Sequence, residues 1–286
     1  MGQLLIQVAE LQSLIKQNAV VIFDVRHDLM DHDWGRQQYN QAHIPGAHFL
    51  DNEAELVGTC TGKNGRHPLP DLTAFRAYLD AYGLNAESRI VVYDASQAHM
   101  AARTWWLLRW AGYKHVMILD GGWQAWLEAQ GQTQATVPEV GPATDSRSTQ
   151  NEPEAAMPVV AAAQIQQQLT APIYTLIDAR AAGRYAGEHE PIDPIAGHIP
   201  TAVNRPTTEN VDQAGYFKSA AQLRTEFNAL LNTTHPQQVV HYCGSGITAC
   251  HNLFAMELAG LQGSRLYAGS WSEWIAESTR PREPHI

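Results

Sequence analysis

The sequence predicts an α/β protein built from two tandem copies of one domain, each a parallel sheet with helices on both faces. Three observations predict it. Short landmarks recur in the same order at separations of roughly 150 positions. Apolar runs of strand length alternate with segments whose apolar residues return at helical spacing. One strand also runs into a tight glycine loop that opens a helix, His241-Tyr-Cys-Gly-Ser-Gly-Ile-Thr-Ala-Cys250, which is how open parallel sheets present reactive groups.

The duplication rests on four landmarks. Val20-Val-Ile-Phe-Asp-Val-Arg26 returns as Tyr174-Thr-Leu-Ile-Asp-Ala-Arg180, and His43-Ile-Pro-Gly-Ala47 as His198-Ile-Pro-Thr-Ala202. Ile90-Val-Val-Tyr-Asp94 returns as Val239-Val-His-Tyr-Cys243, and Asp120-Gly-Gly-Trp123 as Ala268-Gly-Ser-Trp271. Four matches in one order mean two copies of one fold.

In the first copy the pattern predicts a short amphipathic helix over 10–15, a strand over 19–25 and a strand over 47–50. A long loop over 51–70 follows, holding Gly58, Gly62, Gly65, Pro68 and Pro70. Asp71 is placed to cap a helix over 72–82. A buried strand over 90–93, an apolar helix over 98–110, a strand over 115–119 and a closing helix over 123–129 complete the copy. The second copy repeats this with helices over 161–169, 220–231, 247–261 and 272–277 and strands over 174–179, 239–242 and 265–267; its tail, 278–286, is expected over the surface. Residues 132–157, rich in Thr, Gln, Pro, Ser and Glu, read as a linker between domains spanning 1–131 and 158–286.

Composition narrows the class. The chain has 286 residues, 44% of them hydrophobic, and a net charge of -10, so nucleic acid and anionic membranes are disfavoured as partners. Three cysteines argue against a disulfide framework and for a reducing compartment. The N-terminus lacks the pattern of a secretory signal and no run approaches a membrane span, which makes the cytoplasm the expected location.

The chemistry is expected at Cys243. Gly244 and Gly246 let the backbone curl so that successive N-H groups point inward, and the helix that follows adds the positive end of its dipole. Such a cradle stabilises a thiolate and makes a nucleophile. The other reading of Cys243 is a small buried apolar side chain; for Cys250, inside the helix, that structural reading is the expected one. Arg180 and Arg184 fall beyond the strand ends where ligands bind, and forked guanidinium bonds suit a carboxylate or sulfonate. Arg180 is also open to an internal salt bridge, because Arg26 keeps its place in the first copy. His198 is read as a turn histidine and His241 as core. Cys250 and His251, adjacent on a helix, point about 100 degrees apart and do not make a metal site with His241 and Cys243. In the first copy Asp94 stands where Cys243 stands and Ala95-Ser-Gln-Ala-His99 lacks both glycines. That copy is expected to be catalytically silent, to curl less easily into a cradle, and to stabilise its twin and wall one side of its cleft.

On these motifs the sequence resembles the two-domain rhodanese-like sulfurtransferases over almost its whole length. The resemblance implies two rhodanese domains, the first inactive, and no cofactor or metal. It implies a double displacement in which Cys243 takes sulfane sulfur from a small anionic donor, holds it as a persulfide on the amides of Gly244, Ser245, Gly246, Ile247 and Thr248, and passes it to cyanide or a thiol, including a thioredoxin-like reductant. A monomer or weak dimer is expected. Cys243-Gly-Ser-Gly-Ile-Thr248 is similar to the loop of mercaptopyruvate enzymes, whereas thiosulfate enzymes place basic residues after the cysteine. Ser245 is then the donor to the ketone oxygen. Mercaptopyruvate enzymes commonly carry a further arginine after Glu-Pro; here Glu190-Pro191 is followed by Ile192, so donor binding is expected to rest on Arg184 and Arg180, with 3-mercaptopyruvate and thiosulfate both open. Two other readings of the loop are a non-catalytic sulfur carrier and a cysteine phosphatase or arsenate reductase. The latter require an arginine where Ala249 stands.

Overall fold

A computed structural model describes residues 2–138 and 157–284. They form two compact units. One comprises the described residues of Met1–Gly58 and Leu69–Ala156, the other Thr59–Pro68 with Met157–Ile286. Ten residues of the long first-copy loop therefore belong to the second unit.

The first unit contains β1 (Leu5–Ile6), α1 (Val8–Lys16), β2 (Val21–Asp24), α2 (Trp34–Gln41), β3 (Ala47–Phe49), α3 (Leu72–Asp80), β4 (Arg89–Tyr93), α4 (His99–Trp110), β5 (His115–Leu119) and α5 (Gly122–Glu128). Its five strands pair in the order β1-β5-β4-β2-β3, all parallel. Ile22, Val91, Tyr93, Met117, Leu11 and Trp126 fill one core, each apolar side chain contributing about 1.5–3 kcal/mol by leaving water. Asp71 caps α3 as expected, its carboxylate accepting from the Ala74 amide at 2.9 Å.

The second unit contains α6 (Ala162–Gln168), β6 (Thr175–Asp178), α7 (Ala182–Tyr185), β7 (Val203–Asn204), α8 (Ala220–Leu231), β8 (Val239–Tyr242), α9 (Ala249–Leu258), β9 (Arg265–Leu266) and α10 (Ser270–Trp274). Its strands pair β7-β6-β8-β9, again parallel. A single parallel bridge from Val159 to Leu266 stands where the first unit has β1. Leu176, Val240, Tyr242, Trp271 and Trp274 pack its core.

The two-copy expectation extends to individual hydrogen bonds. Asp24 holds Arg26, which also donates to the Ala42 carbonyl and lies over Trp123; Asp178 holds Arg180, which donates to the Gly197 carbonyl and lies over Trp271. Tyr39 donates to the Ala47 carbonyl and stacks on His43, and Tyr185 donates to the Ala202 carbonyl and stacks on His198. Backbone bridges tie His43 to Gln134 and His198 to Glu283. Gln134 lies within the stretch read as linker, and 139–156 of that stretch fall outside the described residues. The tail residue Glu283 is thus fastened to the His198 turn.

The short elements α2, α7, β1 and β7 were not visible in the sequence. The α2 helix is polar except for a few side chains, and among its residues only Gly35 and Tyr39 are buried. The strands β1 and β7 have two residues each, too short for any periodicity to register.

Candidate active site

Strand β8 delivers Cys243 to the C-terminal edge of the second sheet, and β6, its parallel neighbour, delivers Asp178 and Arg180 to the same edge. The loop 243–248 then turns into α9. Gly246 makes this turn possible: its φ is +87°, and a Cβ there would stand 2.2 Å from the Ala268 carbonyl oxygen. The Gly246 amide donates to Cys243 Sγ at 3.1 Å. The sulfur therefore receives an N-H at the positive end of a helix, as the glycine spacing predicts.

Ser270 fastens the loop from below. Its Oγ accepts from the Cys243 amide and donates to the Tyr267 carbonyl, both at 3.0 Å. Ser270 has a φ of 55°, in a place where the first copy has Gly122. A serine replacing a glycine in Ala268-Gly-Ser-Trp271 was the signal that could have found it. The Trp271 and Ser272 amides hold the carbonyls of Cys243 and Gly244 at 2.9 Å.

The cations come from two places, one of them unexpected. Arg184 reaches the loop, as expected. Arg66 reaches it too, from Thr59–Pro68. A Cβ at Gly244 would stand 3.0 Å from Arg66 Nη2, 3.3 Å from Arg184 Nη2 and 3.5 Å from Asp193 Oδ2. Two guanidinium groups and a carboxylate thus converge one residue beyond the thiol. Burial pushes the Arg66 guanidinium down from its usual range, the charge of Cys243 pulls it up, and Arg184 pushes it down again. Arg66 is fixed by its amide on Ser272 Oγ at 3.1 Å and by an ion pair with Asp193. Beside it, His67 Nδ1 and Ser245 Oγ lie 2.7 Å apart. Gly65, at φ +85°, lets the segment approach, since a Cβ there would meet the Gly269 carbonyl oxygen at 2.6 Å.

Of the two uses open to Arg180, the structure shows the internal one: its guanidinium is engaged within the second unit. Its Nε and Nη2 bind Asp178, Nη1 binds Glu190 at 3.1 Å, and Nη2 also donates to the Gly197 carbonyl. Burial lowers its pKa, but the charge and hydrogen bonds of Asp178 outweigh this and hold it up. Arg184 is held by Glu190 and Asp193 and keeps 17% of its side chain exposed. His198 is a turn histidine, its Nδ1 on the Tyr185 carbonyl. His241 is fully buried, neither ring nitrogen has a partner among the described residues, and burial with the nearby Arg205 charge pushes its pKa down to about 3. Cys250, buried in α9, donates its thiol to the Gly246 carbonyl at 3.4 Å. Thr248 stands at the start of α9, and Ile247 is buried beside it.

The first copy's loop curls at the cost its lack of glycines implies. Without glycines it still curls, because Gln97 and Ala98 take φ values of 55° and 68°. Left-handed backbone costs about 1–2 kcal/mol per such residue, and Asp94 offsets it. Its Oδ1 accepts from the Ser96 and Ala98 amides, and its Oδ2 from the Met100 and Ala101 amides and the Ser96 hydroxyl, at 2.8–3.1 Å. A carboxylate of the chain itself fills this cradle.

The Rhodanese-like domain model matches residues 7–129 and 161–277. This chain belongs to the rhodanese-like family. The rhodanese-like chain is 43% identical over 279 residues to a Pseudomonas aeruginosa protein described as a "probable 3-mercaptopyruvate sulfurtransferase", covering 97% of this chain and 96% of that one. It is 32% identical over 252 residues to thiosulfate sulfurtransferase of Bos taurus, covering 84% and 80%. Among solved structures, the 3-mercaptopyruvate sulfurtransferase of Leishmania major superposes with a TM-score of 0.85 at 28% identity, over 98% of this chain and 76% of that one. The tandem rhodanese fold expected from the repeats is thereby established, and so is the recognition of sulfurtransferase kin. Among the described residues no helix is long and apolar enough to cross a membrane.

Proposed function

We propose that this enzyme moves sulfane sulfur from 3-mercaptopyruvate or thiosulfate to a thiol or cyanide through a persulfide on Cys243. The observation that carries the reading is the surroundings of that sulfur: an N-H from Gly246, the start of α9, and the Arg66 and Arg184 guanidinium groups at the neighbouring residue. The first copy supports it by analogy, since the equivalent loop binds an anion, the Asp94 carboxylate. With its cradle occupied, that copy takes no sulfur.

The steps follow from charge. The Cys243 thiolate attacks the donor sulfur while Arg184 and Arg66 hold the donor's anionic group. With mercaptopyruvate the carbon–sulfur bond breaks and its electron pair passes to the enolate of pyruvate. The hydrogen on the donor sulfur ends on that carbon, leaving pyruvate and an anionic persulfide. Ser245, paired with His67, donates to the ketone oxygen as it gains charge, and the pair provides a path for the proton. With thiosulfate the sulfur–sulfur bond breaks and sulfite leaves. In the second half a thiol or cyanide attacks the outer sulfur, and the Cys243 thiolate departs. None of the three cysteines is in a disulfide, as a thiol that must stay reduced requires, and the cytoplasm suits it.

The test is Cys243→Ser. Wild-type protein given donor alone gains the mass of one sulfur atom, and given donor with cyanide or a thiol turns over repeatedly. The variant does neither. Turnover by a folded Cys243→Ser protein refutes the mechanism, and a wild-type protein that loads one sulfur and stalls with every free acceptor is a carrier.

A further inference from the structure

The three guanidinium groups of the site are matched by three carboxylates. Arg180 is matched by Asp178, and Glu190 takes both Arg180 and Arg184. Asp193 takes Arg66 and Arg184 together. The Asp193 carboxylate is 2% exposed and cannot turn away to water. Its backbone is pinned between Pro191 and Pro194, with its amide on Glu190 Oε1 at 3.1 Å. The carboxylate therefore stays beside both guanidinium groups, reaching the same point above Gly244 that they reach.

We propose that Asp193 sets the charge class of the donor, admitting a sulfur donor with one negative charge and disfavouring a dianion. This rests on the sulfur-transfer reading above and deepens it by choosing between the two donors that reading leaves open. A donor's anionic group placed on Arg66 and Arg184 also lies a few ångströms from the Asp193 oxygens. In a partly buried site repulsion over such a distance is weakly screened. Each charge on the donor feels it, so a dianion is penalised more than a monoanion holding the same two arginines. A mercapto-carboxylate is thereby favoured over thiosulfate. Two arginines without Asp193 would favour the dianion instead. The neutral loop residues Ser245, Ile247 and Thr248 add no cation that could restore that preference.

The experiment has a binding arm and a turnover arm. Sulfate and methanesulfonate have nearly the same tetrahedral shape but carry two charges and one. Calorimetry on wild-type protein is expected to show methanesulfonate bound at least as tightly as sulfate; tighter sulfate binding overturns the proposal. In Asp193→Asn, which keeps the shape and removes the charge, sulfate affinity should rise relative to methanesulfonate by about tenfold or more, equivalent to ~1.4 kcal/mol. In Asp193→Glu the ratio should stay near the wild-type value. Turnover is read as the thiosulfate to mercaptopyruvate ratio of kcat/KM, expected to rise by about tenfold or more in Asp193→Asn, through the thiosulfate KM rather than kcat. A ratio unmoved in both arms makes Asp193 only a brace for its arginines and overturns the proposal. If wild-type protein turns over neither donor, the sulfur-transfer reading fails, and the two tetrahedral anions still decide the role of Asp193.

Discussion

Replacing Asp94 by alanine separates the two copies' roles in one experiment. The carboxylate is 1% exposed and accepts four backbone amides and one hydroxyl. Two of those amides, from Met100 and Ala101, belong to the first turn of α4, which has no partners within its own helix. Removing the acceptor leaves buried donors, each costing about 1–3 kcal/mol when unsatisfied. It also leaves the left-handed strain at Gln97 and Ala98 without compensation. Water entering the vacated space recovers part of this, so a loss of about 3–5 kcal/mol is expected, in the range of other broken buried charge networks. Asp94→Asn keeps one acceptor oxygen but turns an amide group toward N-H donors, and should lose about 2–3 kcal/mol. Urea unfolding followed by tryptophan fluorescence reports the right half of the chain, because Trp34, Trp105, Trp106, Trp110, Trp123 and Trp126 all lie in the first unit. The midpoint should fall in the order wild type, Asn, Ala, while the folded variants keep sulfur transfer from Cys243. A stability change below about 1 kcal/mol for Asp94→Ala would show that the loop is not an anion cradle. A tenfold loss of transfer in folded protein would show that the first copy is not silent.

Three further outcomes come from the second unit. Arg66→Met and Arg184→Met should each raise the donor KM by about 10- to 100-fold, the worth of one or two charge-assisted hydrogen bonds, with smaller changes in kcat; Arg180→Met should instead lower stability by removing the partner of Asp178, and an unchanged KM in both of the first two variants refutes their role in steady-state assays. His241 titrates at about 3 when folded and near 6.5 when unfolded, so the unfolded chain binds the extra proton and stability falls as pH drops below 6.5. This residue alone should remove about 2 kcal/mol by pH 5, and His241→Gln should abolish that part of the loss in urea titrations at pH 7 and pH 5.

The tandem fold and the cysteine loop were legible because each is carried by contiguous sequence. Val239 to Ile247 spells strand, thiol and glycine turn in one run, and the repeats place Asp94 opposite Cys243 without any alignment beyond the chain itself. Arg184 was legible for the same reason, one turn beyond a strand end. Arg66 and His67 were not. They lie in a glycine- and proline-rich loop more than 100 residues from the partners they meet, and nothing in local periodicity ties such a loop to one unit or the other. Arg180 was ambiguous because its repeat, Arg26, shows only that the position is kept. The fork on Asp178 and the bond to the Gly197 carbonyl are visible only in the structure. The curl at Gln97 and Ala98 was only half legible, because propensity counts the cost of a left-handed backbone but not the five hydrogen bonds that Asp94 returns.

The loan of Thr59–Pro68 from one repeat to the other has a genetic consequence. A fragment beginning near residue 158 leaves behind the imidazole facing Ser245 and one of the two guanidinium groups over Gly244, so halving the gene does not halve the enzyme. Chimeras that exchange whole repeats between relatives inherit the same penalty unless those ten residues travel with the half they serve, and recombination at the midpoint of the gene should be tolerated only between parents whose loops match.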